Sequence, residues 1–309
     1  MPKKILAIQG SSLSRVNTET DTTLFLGLEA QKKDYQIYYY EPQGLSFLDG
    51  KVMAKCIHLT FFENTKKFYK INKKLNFDLS KAKVLLIRNE PPFNQQYINS
   101  TFILEHIANK VIVINHPKAI REVPEKLFSI RLIKYMPSTL ISENIDEIKN
   151  FFKKNKKVIV KPVNGYSGNE VILLKSFNNK IINKYLKKYN HIILQKFLPE
   201  ISNGDRRVFI INGKVKGSIT RIPKQGSILS NMSKGAIAQI NKLTSKERKI
   251  SQEVAILLKK QNIYFAGIDF IQGQLIGDIN VTSPTGLKTH YSLTGDNLAK
   301  YFWDNIYLK

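Results

Sequence analysis

Strand-like and helix-like runs alternate along the first 114 residues, and this alternation restricts the fold more than any other feature of the sequence. Helical spacing of apolar residues at 21–33 and 97–109 separates apolar runs that have the length of buried strands. Such an order predicts an open, mostly parallel sheet. Arg88 then lies at the carboxyl end of a strand, where such sheets bind ligands, although the following Pro91-Pro92 pair also fits a surface turn. The four apolar runs are residues 5–9, 36–40, 84–87 and 111–114.

The remainder of the chain predicts α+β units. Strands at 158–160 and 171–174 enclose a glycine-rich turn and form a hairpin-like pair. Asn212-Gly213 between two strand-like runs is typical of a two-residue type I′ turn. Residues 222–240 have no periodicity, and a loop of that length inside a domain is usually a functional lid or disordered.

The charge balance is unusual, because 49 lysines and arginines face 24 aspartates and glutamates, which gives a formal net charge of +25. Taken alone, this charge favours a nucleic acid or an anionic surface as partner. Only eight of the 49 are arginine, however, and a lysine bias with abundant asparagine and isoleucine is typical of an AT-rich genome. No zinc-finger spacing, RNA-recognition signature or basic heptad region accompanies it. We therefore do not expect nucleic acid to be the partner.

Hydrophobic residues make up 42% of the 309, which is enough for buried cores and excludes a wholly disordered chain. No apolar run reaches the roughly 18 residues that a membrane span needs, and the basic start of the sequence predicts a first strand rather than a signal peptide. The one cysteine, Cys56, forbids an internal disulfide and suits a reducing cytosol. We expect a cytoplasmic protein without a membrane partner, in which Cys56 is structural.

Two acidic residues face each other in a hairpin predicted near the end of the sequence. The predicted turn is Gly273-Gln274, of type II′. In that register Asp269 lies directly opposite Asp278, and Asn280 shares the face of Asp278. Opposed carboxylates are unfavourable unless a cation lies between them, and all-oxygen ligands suit Mg²⁺ completed by water and nucleotide phosphate. Because the flanking residues are apolar, we favour a metal site over an exposed hairpin with incidental acids.

Lys161 ends an apolar strand and opens the glycine-rich turn that contains Gly165, Ser167 and Gly168. A lysine at this position can reach a phosphate that the backbone N–H groups of the turn cradle. The spacing is not that of a Walker P-loop, which argues against that fold. A single glycine-rich turn is equally consistent with a structural role.

Six sequence blocks, of which the run DINVTSPT at 278–285 is the most specific, occur in one order along nearly the whole chain. Together they resemble the bacterial glutathione synthases, a family of ATP-grasp ligases. The resemblance implies an ATP-grasp fold, α/β and α+β, with an N-terminal open, mostly parallel α/β domain. It implies a substrate-binding domain at 1–122, a small ATP-grasp lobe at 123–200, and a catalytic lobe at 201–309 with a mobile lid at 222–240. The blocks are residues 88–93, 121–128, 161–168, 204–207, 220–223 and 278–285.

The resemblance also implies roles for residues in the matching blocks. Arg207 and Arg221 would stabilise the transferred phosphoryl group and the acyl phosphate. Asp269, Asp278 and Asn280 would hold Mg²⁺, for which Mn²⁺ can substitute. The residues that would contact ATP are Lys126, Lys161, Gly165, Ser167, Gly168, Gln195, Lys196, Phe197 and Leu198. The residues that would lie near the peptide substrate are Arg88, Asp205, Ser283, Thr285 and Lys288.

These roles imply an enzyme that joins γ-glutamylcysteine and glycine into glutathione and releases ADP and phosphate. A carboxylate is a poor acyl donor, so the γ-phosphoryl group of ATP first makes an acyl phosphate, which the amine then attacks. Acyl phosphates hydrolyse, so we expect a lid that excludes water.

Family members form oligomers, and we expect a homo-oligomer. Two alternatives stay open: a related ligase with a different amine acceptor, and a non-enzymatic basic protein that binds nucleic acid.

Five of the eight arginines lie within the blocks, although lysine is the common cation of this chain. A planar fork that binds phosphate or carboxylate in a bidentate manner is not replaced by lysine. In an ideal hairpin register Arg206, rather than Arg207, shares the face of Arg221, and a β-bulge would restore Arg207. The sequence also departs from the family, since Asp278 stands for a glutamate and Lys288 for an arginine.

Overall fold

The alternating N-terminal pattern forms a seven-stranded sheet. The structure is a computed structural model and describes residues 4–64 and 66–306. The strands are β1 (Lys4–Gly10), β2 (Tyr35–Tyr40), β3 (Leu45–Leu48), β4 (Lys51–Phe61), β5 (Tyr69–Asp78), β6 (Val84–Arg88) and β7 (Ile112–Ile114). The helices of this part are α1 (Thr22–Gln31), α2 (Gln95–Glu105) and α3 (Pro117–Glu122). Strands β2, β1, β6 and β7 are parallel neighbours in that order, which confirms the predicted parallel core.

Three antiparallel strands extend this sheet, and the sequence pattern does not indicate them. Strand β4 pairs with β2, β3 and β5. The outermost strand, β5, exposes Lys70, Lys73 and Lys74, so it lacks the apolar alternation of a half-buried strand. Lysines on an edge strand hinder pairing with another chain.

The middle of the chain forms a four-stranded antiparallel sheet in the order β10-β9-β11-β8. These strands are β8 (Thr139–Ser142), β9 (Val158–Pro162), β10 (Ile172–Leu174) and β11 (Ile192–Lys196), and the helices are α4 (Ile145–Asn155) and α5 (Asn179–Tyr189). Asn144 and Asn178 cap these helices by accepting hydrogen bonds from backbone N–H groups of the first turn. The helices bury Ile148 and Ile182 in one core with the strands. Strands β9 and β10 pair across the glycine-rich turn, as predicted.

The last part of the chain forms a five-stranded antiparallel sheet in the order β14-β13-β12-β15-β16. These strands are β12 (Asp205–Ile211), β13 (Lys214–Ile222), β14 (Ile237–Gln239), β15 (Phe265–Ile271) and β16 (Gln274–Asn280), and the helices are α6 (Ser245–Lys260), α7 (Leu287–Thr294) and α8 (Leu298–Asp304). Short 3-10 helices occur at Leu13–Arg15, Pro42–Gly44, Leu79–Lys81, Phe128–Tyr135, Pro199–Asn203 and Met232–Lys234. Residues 222–240 are therefore not loop throughout, because β14 pairs with the end of β13.

A bulge in the β12–β13 hairpin determines whether Arg206 or Arg207 lies on the same face of the sheet as Arg221. The Asn212-Gly213 turn has positive φ at both residues, as a type I′ turn requires. The register shifts between Phe209 and Ile210, where β13 carries one extra residue. This β-bulge brings Arg207 onto the face of Arg221, as the role predicted for Arg207 requires.

The β15–β16 hairpin differs from its prediction at the turn. The turn is Gln272-Gly273, both with positive φ, and not Gly273-Gln274 of type II′, because Ile271 pairs with Gln274. The register then shifts between Ile268 and Phe270, where β16 bulges because it carries the extra residues. The pairs on the far side of this bulge, such as Gly267 with Asn280, are those of the predicted register.

The N-terminal sheet and the C-terminal sheet share one apolar core. Residues of β1 and α1 pack with Phe209, Phe265 and Phe302 in that core. Trp303 donates from its indole N–H to the backbone carbonyl of Leu26 at 2.8 Å. No helix within the described residues is both long and apolar enough to cross a membrane.

Cys56 is buried in the N-terminal core, and burial raises the pKa of its thiol to about 12. At pH 8 the thiolate fraction is then about 10⁻⁴, and the thiolate is the reactive form. We predict that a thiol-specific reagent leaves the native protein unmodified and active, and that it modifies one thiol after denaturation. Mass spectrometry of the reagent-treated protein measures the modification. Rapid modification of Cys56 in the native protein would contradict its structural role.

Candidate active site

A cavity of about 580 Å³ is lined by residues from all three parts of the chain. Of the residues predicted to form the site, all but Arg88 and Lys288 lie in its wall. Residues that are far apart in the sequence, such as Lys126 and Thr285, thus meet at one cavity. The predicted site residues in the wall are Lys126, Lys161, Gly165, Ser167, Gly168, Gln195, Lys196, Phe197, Leu198, Asp205, Arg207, Arg221, Asp269, Asp278, Asn280, Ser283 and Thr285.

Two arginines and two aspartates form a buried ionic cluster on one side of this cavity. Arg207 donates from Nε and Nη2 to the two carboxylate oxygens of Asp269, the second at 2.8 Å. Arg221 donates in the same manner to Asp205, with 2.8 Å from Nε to Oδ1. Arg221 Nη2 also lies 3.2 Å from Asp269 Oδ2, so Asp269 joins the two pairs. Each pair uses one edge of the guanidinium fork. Arg207 Nη1, outside that edge, donates to the backbone carbonyl of Thr285 at 3.4 Å.

Asp269 stays ionised because of this cluster. Burial raises the pKa of a carboxyl group, but the charges and hydrogen bonds of Arg207 and Arg221 outweigh burial and hold the pKa of Asp269 at about 2. Since this value lies below that of the unfolded chain, the ionised carboxylate stabilises the fold at neutral pH. The contribution is lost only as the pH falls below about 4 towards 2.

Two lysines of the cavity wall lie close to Asp278. Lys126 Nζ lies 3.8 Å from Oδ1 of Asp278, and Lys161 Nζ lies 3.9 Å from Oδ2. Lys161 also donates to the backbone carbonyl of Ile276 at 2.9 Å, and Lys126 donates to that of Gly165. Burial lowers the pKa of Lys161, the attraction of Asp278 opposes this, and Lys126 adds to the lowering. Two nearly buried ammonium groups beside one carboxylate leave an excess positive charge that suits phosphate.

Two of the three predicted metal ligands, Asp269 and Asn280, are in contact, and Asp269 is also bound to arginine. Asn280 donates from Nδ2 to Asp269 Oδ2 at 3.3 Å and to the carbonyl of Gly267 at 3.1 Å. Within residues 4–64 and 66–306, no three His, Cys, Asp or Glu side chains cluster as a metal site. Carboxylate and amide oxygens are nevertheless among the ligand types that Mg²⁺ takes, together with water and phosphate.

The lid segment rests on the glycine-rich turn. Residues 228–233 of the predicted lid line the same cavity as that turn. A Cβ atom on Gly168, whose φ is +69°, would lie 2.6 Å from Asn231 Oδ1 and 3.1 Å from Leu229 Cδ2. Glycine at position 168 therefore permits both the left-handed backbone and the close approach of the lid.

The segment predicted to hold adenine has part of its backbone already occupied. Lys196 N donates to the carbonyl of Ser138 at 2.8 Å, and Phe197 N donates to that of Lys157 at 3.1 Å. Gln195 is buried, and its Nε2 donates to Thr139 at 3.0 Å. A base bound here would use the other polar groups of the segment.

Arg88 and Lys288 are not among the residues that line the cavity, and their position near the peptide substrate stays a prediction. Arg88 is buried and donates to Thr23 Oγ1 at 3.1 Å and to the carbonyl of Pro284 at 2.9 Å. It thus holds the 281–285 segment, and burial lowers its pKa to about 10. Lys288 turns instead to the ring of Phe25, with Nζ 5.0 Å from the centroid.

Two polar residues that sequence reasoning did not single out also shape the site, the buried Asn115 and the half-buried Glu125. Asn115 joins the N-terminal sheet to the hairpin by donating to the carbonyls of Phe265 and Val281, both at 2.7 Å. Glu125 lines the cavity and accepts hydrogen bonds from the 281–282 backbone. Glu125 lies in a recognised block beside Lys126, which is a signal for it, whereas no sequence pattern points to Asn115.

Gly277 lies in the β16 bulge immediately before Asp278, with φ of +81°. An alanine Cβ there would lie 2.7 Å from Met136 Cε and 3.1 Å from Ser129 Oγ. We predict that Gly277→Ala lowers the free energy of unfolding by about 1–2 kcal/mol, because positive φ is unfavourable for L-residues. It should also lower kcat, because the bulge positions Asp278.

The matched control for this substitution is Gly50→Ala. Gly50 has φ of +80°, a Cβ atom added to it would meet no heavy atom within 4 Å, and it lies outside the cavity wall. This variant should lose similar stability in denaturant titration and keep its kcat. Equal kcat values for the two variants would show that the bulge does not position Asp278.

The three-sheet fold, together with the match of residues 125–295 to an ATP-grasp domain model, places the chain among the ATP-grasp ligases, which form carbon–nitrogen bonds. The fold is similar to a D-cycloserine synthetase (TM-score 0.67, 11% identity, 97% of each chain covered). It is also similar to D-alanyl-alanine synthetase A from Vibrio cholerae (TM-score 0.65, 14% identity, 98% of this chain and 97% of that one). Identities this low show the fold alone.

Sequence similarity identifies the family. The family model for the prokaryotic glutathione synthetase N-terminal domain matches residues 5–121, and the model for its ATP-grasp domain matches residues 125–295. The chain therefore belongs to the prokaryotic glutathione synthetase family. It is 35% identical to a glutathione synthetase of Bradyrhizobium diazoefficiens, with 97% of each chain covered. It is 34% identical to one of Buchnera aphidicola, with 98% of this chain and 97% of that one covered.

Proposed function

We propose that the chain catalyses the ATP-dependent ligation of γ-glutamylcysteine and glycine to glutathione, through an acyl phosphate, with release of ADP and phosphate. The observation that carries this proposal is one cavity that is lined by a pair of lysines and by a pair of arginines, each arginine held by a carboxylate. Family membership supports the reaction. The arrangement of charges supports phosphoryl transfer from ATP, which forms an acyl phosphate, as its first step. The domain boundaries at 122 and 200 remain part of this proposal.

Lys126 and Lys161 would bind the phosphates of ATP. Both ammonium groups are nearly buried, so a phosphate that displaces Asp278 from them meets two poorly solvated cations. The turn at 165–168 would cover the phosphates with its backbone N–H groups. The 195–198 segment would hold the base through the polar groups that the sheet leaves free.

Arg207 and Arg221 would stabilise the phosphoryl group in transfer and then the acyl phosphate. Their carboxylate partners, Asp269 and Asp205, orient the guanidinium forks before the substrate binds. Groups that are already oriented do not have to reorganise as charge develops in the transition state. Ser283 and Thr285, in the same cavity wall, would bind the acid substrate.

Asp269, Asp278 and Asn280 would hold Mg²⁺, with Mn²⁺ as a substitute. When bound, the metal would neutralise charge on the phosphate oxygens. The bulge in β16 alters the backbone around Asp278, and we propose that it compensates for the shorter side chain of this residue. The lid at 222–240 would exclude water from the acyl phosphate.

The test is an assay of ADP release with γ-glutamylcysteine and ATP, with and without glycine, followed by mass spectrometry of the product. We expect glycine-dependent ADP release and glutathione as the product. Turnover only with an amine other than glycine would refute the proposed acceptor. That outcome would establish the second candidate, a related ligase, which the position of Lys288 outside the cavity favours.

We also propose that the protein acts in the cytoplasm as a homo-oligomer. The buried, unpaired thiol of Cys56 is compatible with a reducing compartment. Light scattering coupled to size-exclusion chromatography measures the oligomeric state directly. A monomer at assay concentration would refute this part of the proposal and leave the proposed reaction unaffected.

A further inference from the structure

Glu125 contacts the end of β16 and the two residues after it with both its side chain and its backbone. Its Oε1 atom accepts hydrogen bonds from the backbone N–H of Val281 at 2.9 Å and from that of Thr282 at 3.1 Å. The hydroxyl of Thr282 donates to the same oxygen at 2.9 Å. The backbone carbonyl of Glu125 accepts from Ile279 N at 3.1 Å. One residue of the linker between two sheets thus receives four hydrogen bonds from one short segment of chain.

These hydrogen bonds bracket Asn280. The residue before it is held by the Glu125 backbone and the residue after it by the Glu125 side chain. The segment that follows, with Ser283 and Thr285, leaves the strand at this point. Asn115 holds only the carbonyl side of Val281, so Glu125 is the acceptor for the N–H groups of residues 281 and 282.

Lys126, the next residue after Glu125, connects this contact to the proposed phosphate-binding residues. Lys126 Nζ lies 3.8 Å from Asp278 and donates to the carbonyl of Gly165 in the glycine-rich turn. A displacement of the Glu125 backbone would therefore move a proposed phosphate ligand together with the hairpin. A carboxylate suits the position because it only accepts hydrogen bonds, and all three side-chain contacts are donors.

We propose that Glu125 is a positioning residue that holds Asn280 and the 281–285 segment in register with Lys126. It acts through hydrogen bonds to the chain and not by contact with the reacting atoms. The inference rests on the proposed ligation, because its kinetic consequences are read in that assay. Residues that orient ligands in this manner are typically worth about 10- to 100-fold in activity.

The kinetic test compares Glu125→Ala, Glu125→Gln and Thr282→Val with the wild type. We expect Glu125→Ala to lower kcat by about 100-fold and to leave KM for ATP nearly unchanged. Glu125→Gln keeps an acceptor oxygen of the same reach, so it should recover most of kcat. Thr282→Val removes one of the donors and should have a smaller effect. The matched control is Glu122→Ala, which removes an exposed carboxylate from the end of α3 and should match the wild type.

A second measurement does not depend on the reaction. Hydrogen exchange of the amides of Ile279, Val281 and Thr282 should become faster in Glu125→Ala and return towards the wild-type rate in Glu125→Gln. Unchanged exchange in Glu125→Ala, or a Glu125→Gln variant as inactive as Glu125→Ala, would overturn the proposal. A wild type without turnover would instead refute the proposed ligation, and the exchange rates would still decide the role of Glu125.

Discussion

Replacing Arg207 with lysine is expected to lower kcat by about 10³-fold, the effect typical of arginines that stabilise a transferred phosphoryl group. Lysine keeps the positive charge but has no planar fork, so it cannot hold Asp269 through two hydrogen bonds and also offer N–H groups to the phosphoryl oxygens. KM for ATP should change little, because Arg207 is proposed to act on the phosphoryl group in transfer, whereas Lys126 and Lys161 are proposed to bind the phosphates of ATP. The measurement is steady-state ADP release at saturating substrates.

The adjacent arginine provides the control for this prediction. Arg206 lies on the other face of β12, where it pairs with Glu247 at the start of α6. Arg206→Lys makes the same chemical change one residue away, and its kcat should stay within about twofold of the wild type. Equal losses in Arg206→Lys and Arg207→Lys would contradict the assignment, because of these two arginines only Arg207 lines the cavity.

Replacing Asp278 with asparagine should abolish measurable turnover, a loss of more than about 10²-fold in kcat. The substitution removes the carboxylate between Lys126 and Lys161 and with it one of the two charged ligands proposed for Mg²⁺. Asparagine is nearly the same size, so the loss would come from charge and not from packing. ADP release is measured over a titration with Mg²⁺, and excess metal should recover part of the rate.

Asp146→Asn makes the same chemical change where no ligand is expected. Asp146 has a side chain that is 79% exposed in the first turn of α4, so activity should stay within about twofold of the wild type. An unchanged rate in Asp278→Asn would remove Asp278 from the proposed metal and phosphate site. A loss in both variants would show that net charge, rather than position, determines the rate.

The parallel core of the N-terminal sheet could be predicted because its strands are apolar nearly throughout. Buried parallel strands read as continuous hydrophobic runs, as β1 and β6 do. Strand β5 gives no such signal, because most of its side chains are exposed and three of them are lysines. Its pairing with β4 is made by backbone groups, which every residue type carries.

The two hairpins of the C-terminal sheet show how far local rules extend. Asn212-Gly213 has the intrinsic preference for positive φ that a type I′ turn needs, so that turn was predictable. Gln272 has no such preference, and its positive φ follows from the pairing of Ile271 with Gln274. The predicted turn, Gly273-Gln274, is one residue away from the observed one. It contains the correct glycine but gives the wrong pairing of the residues next to the turn.

The sequence by itself determined the residue types of the site, because phosphate and metal chemistry can use only a few side chains and these stand out in a lysine-rich chain. It also determined the order of the blocks and therefore the family. Only the tertiary structure decided which residues meet. The bulge in β13 brings Arg207 rather than Arg206 to the cavity, and Arg88 holds the segment at Pro284 instead of lining the cavity. Register and burial depend on contacts between distant segments, and no local pattern encodes them.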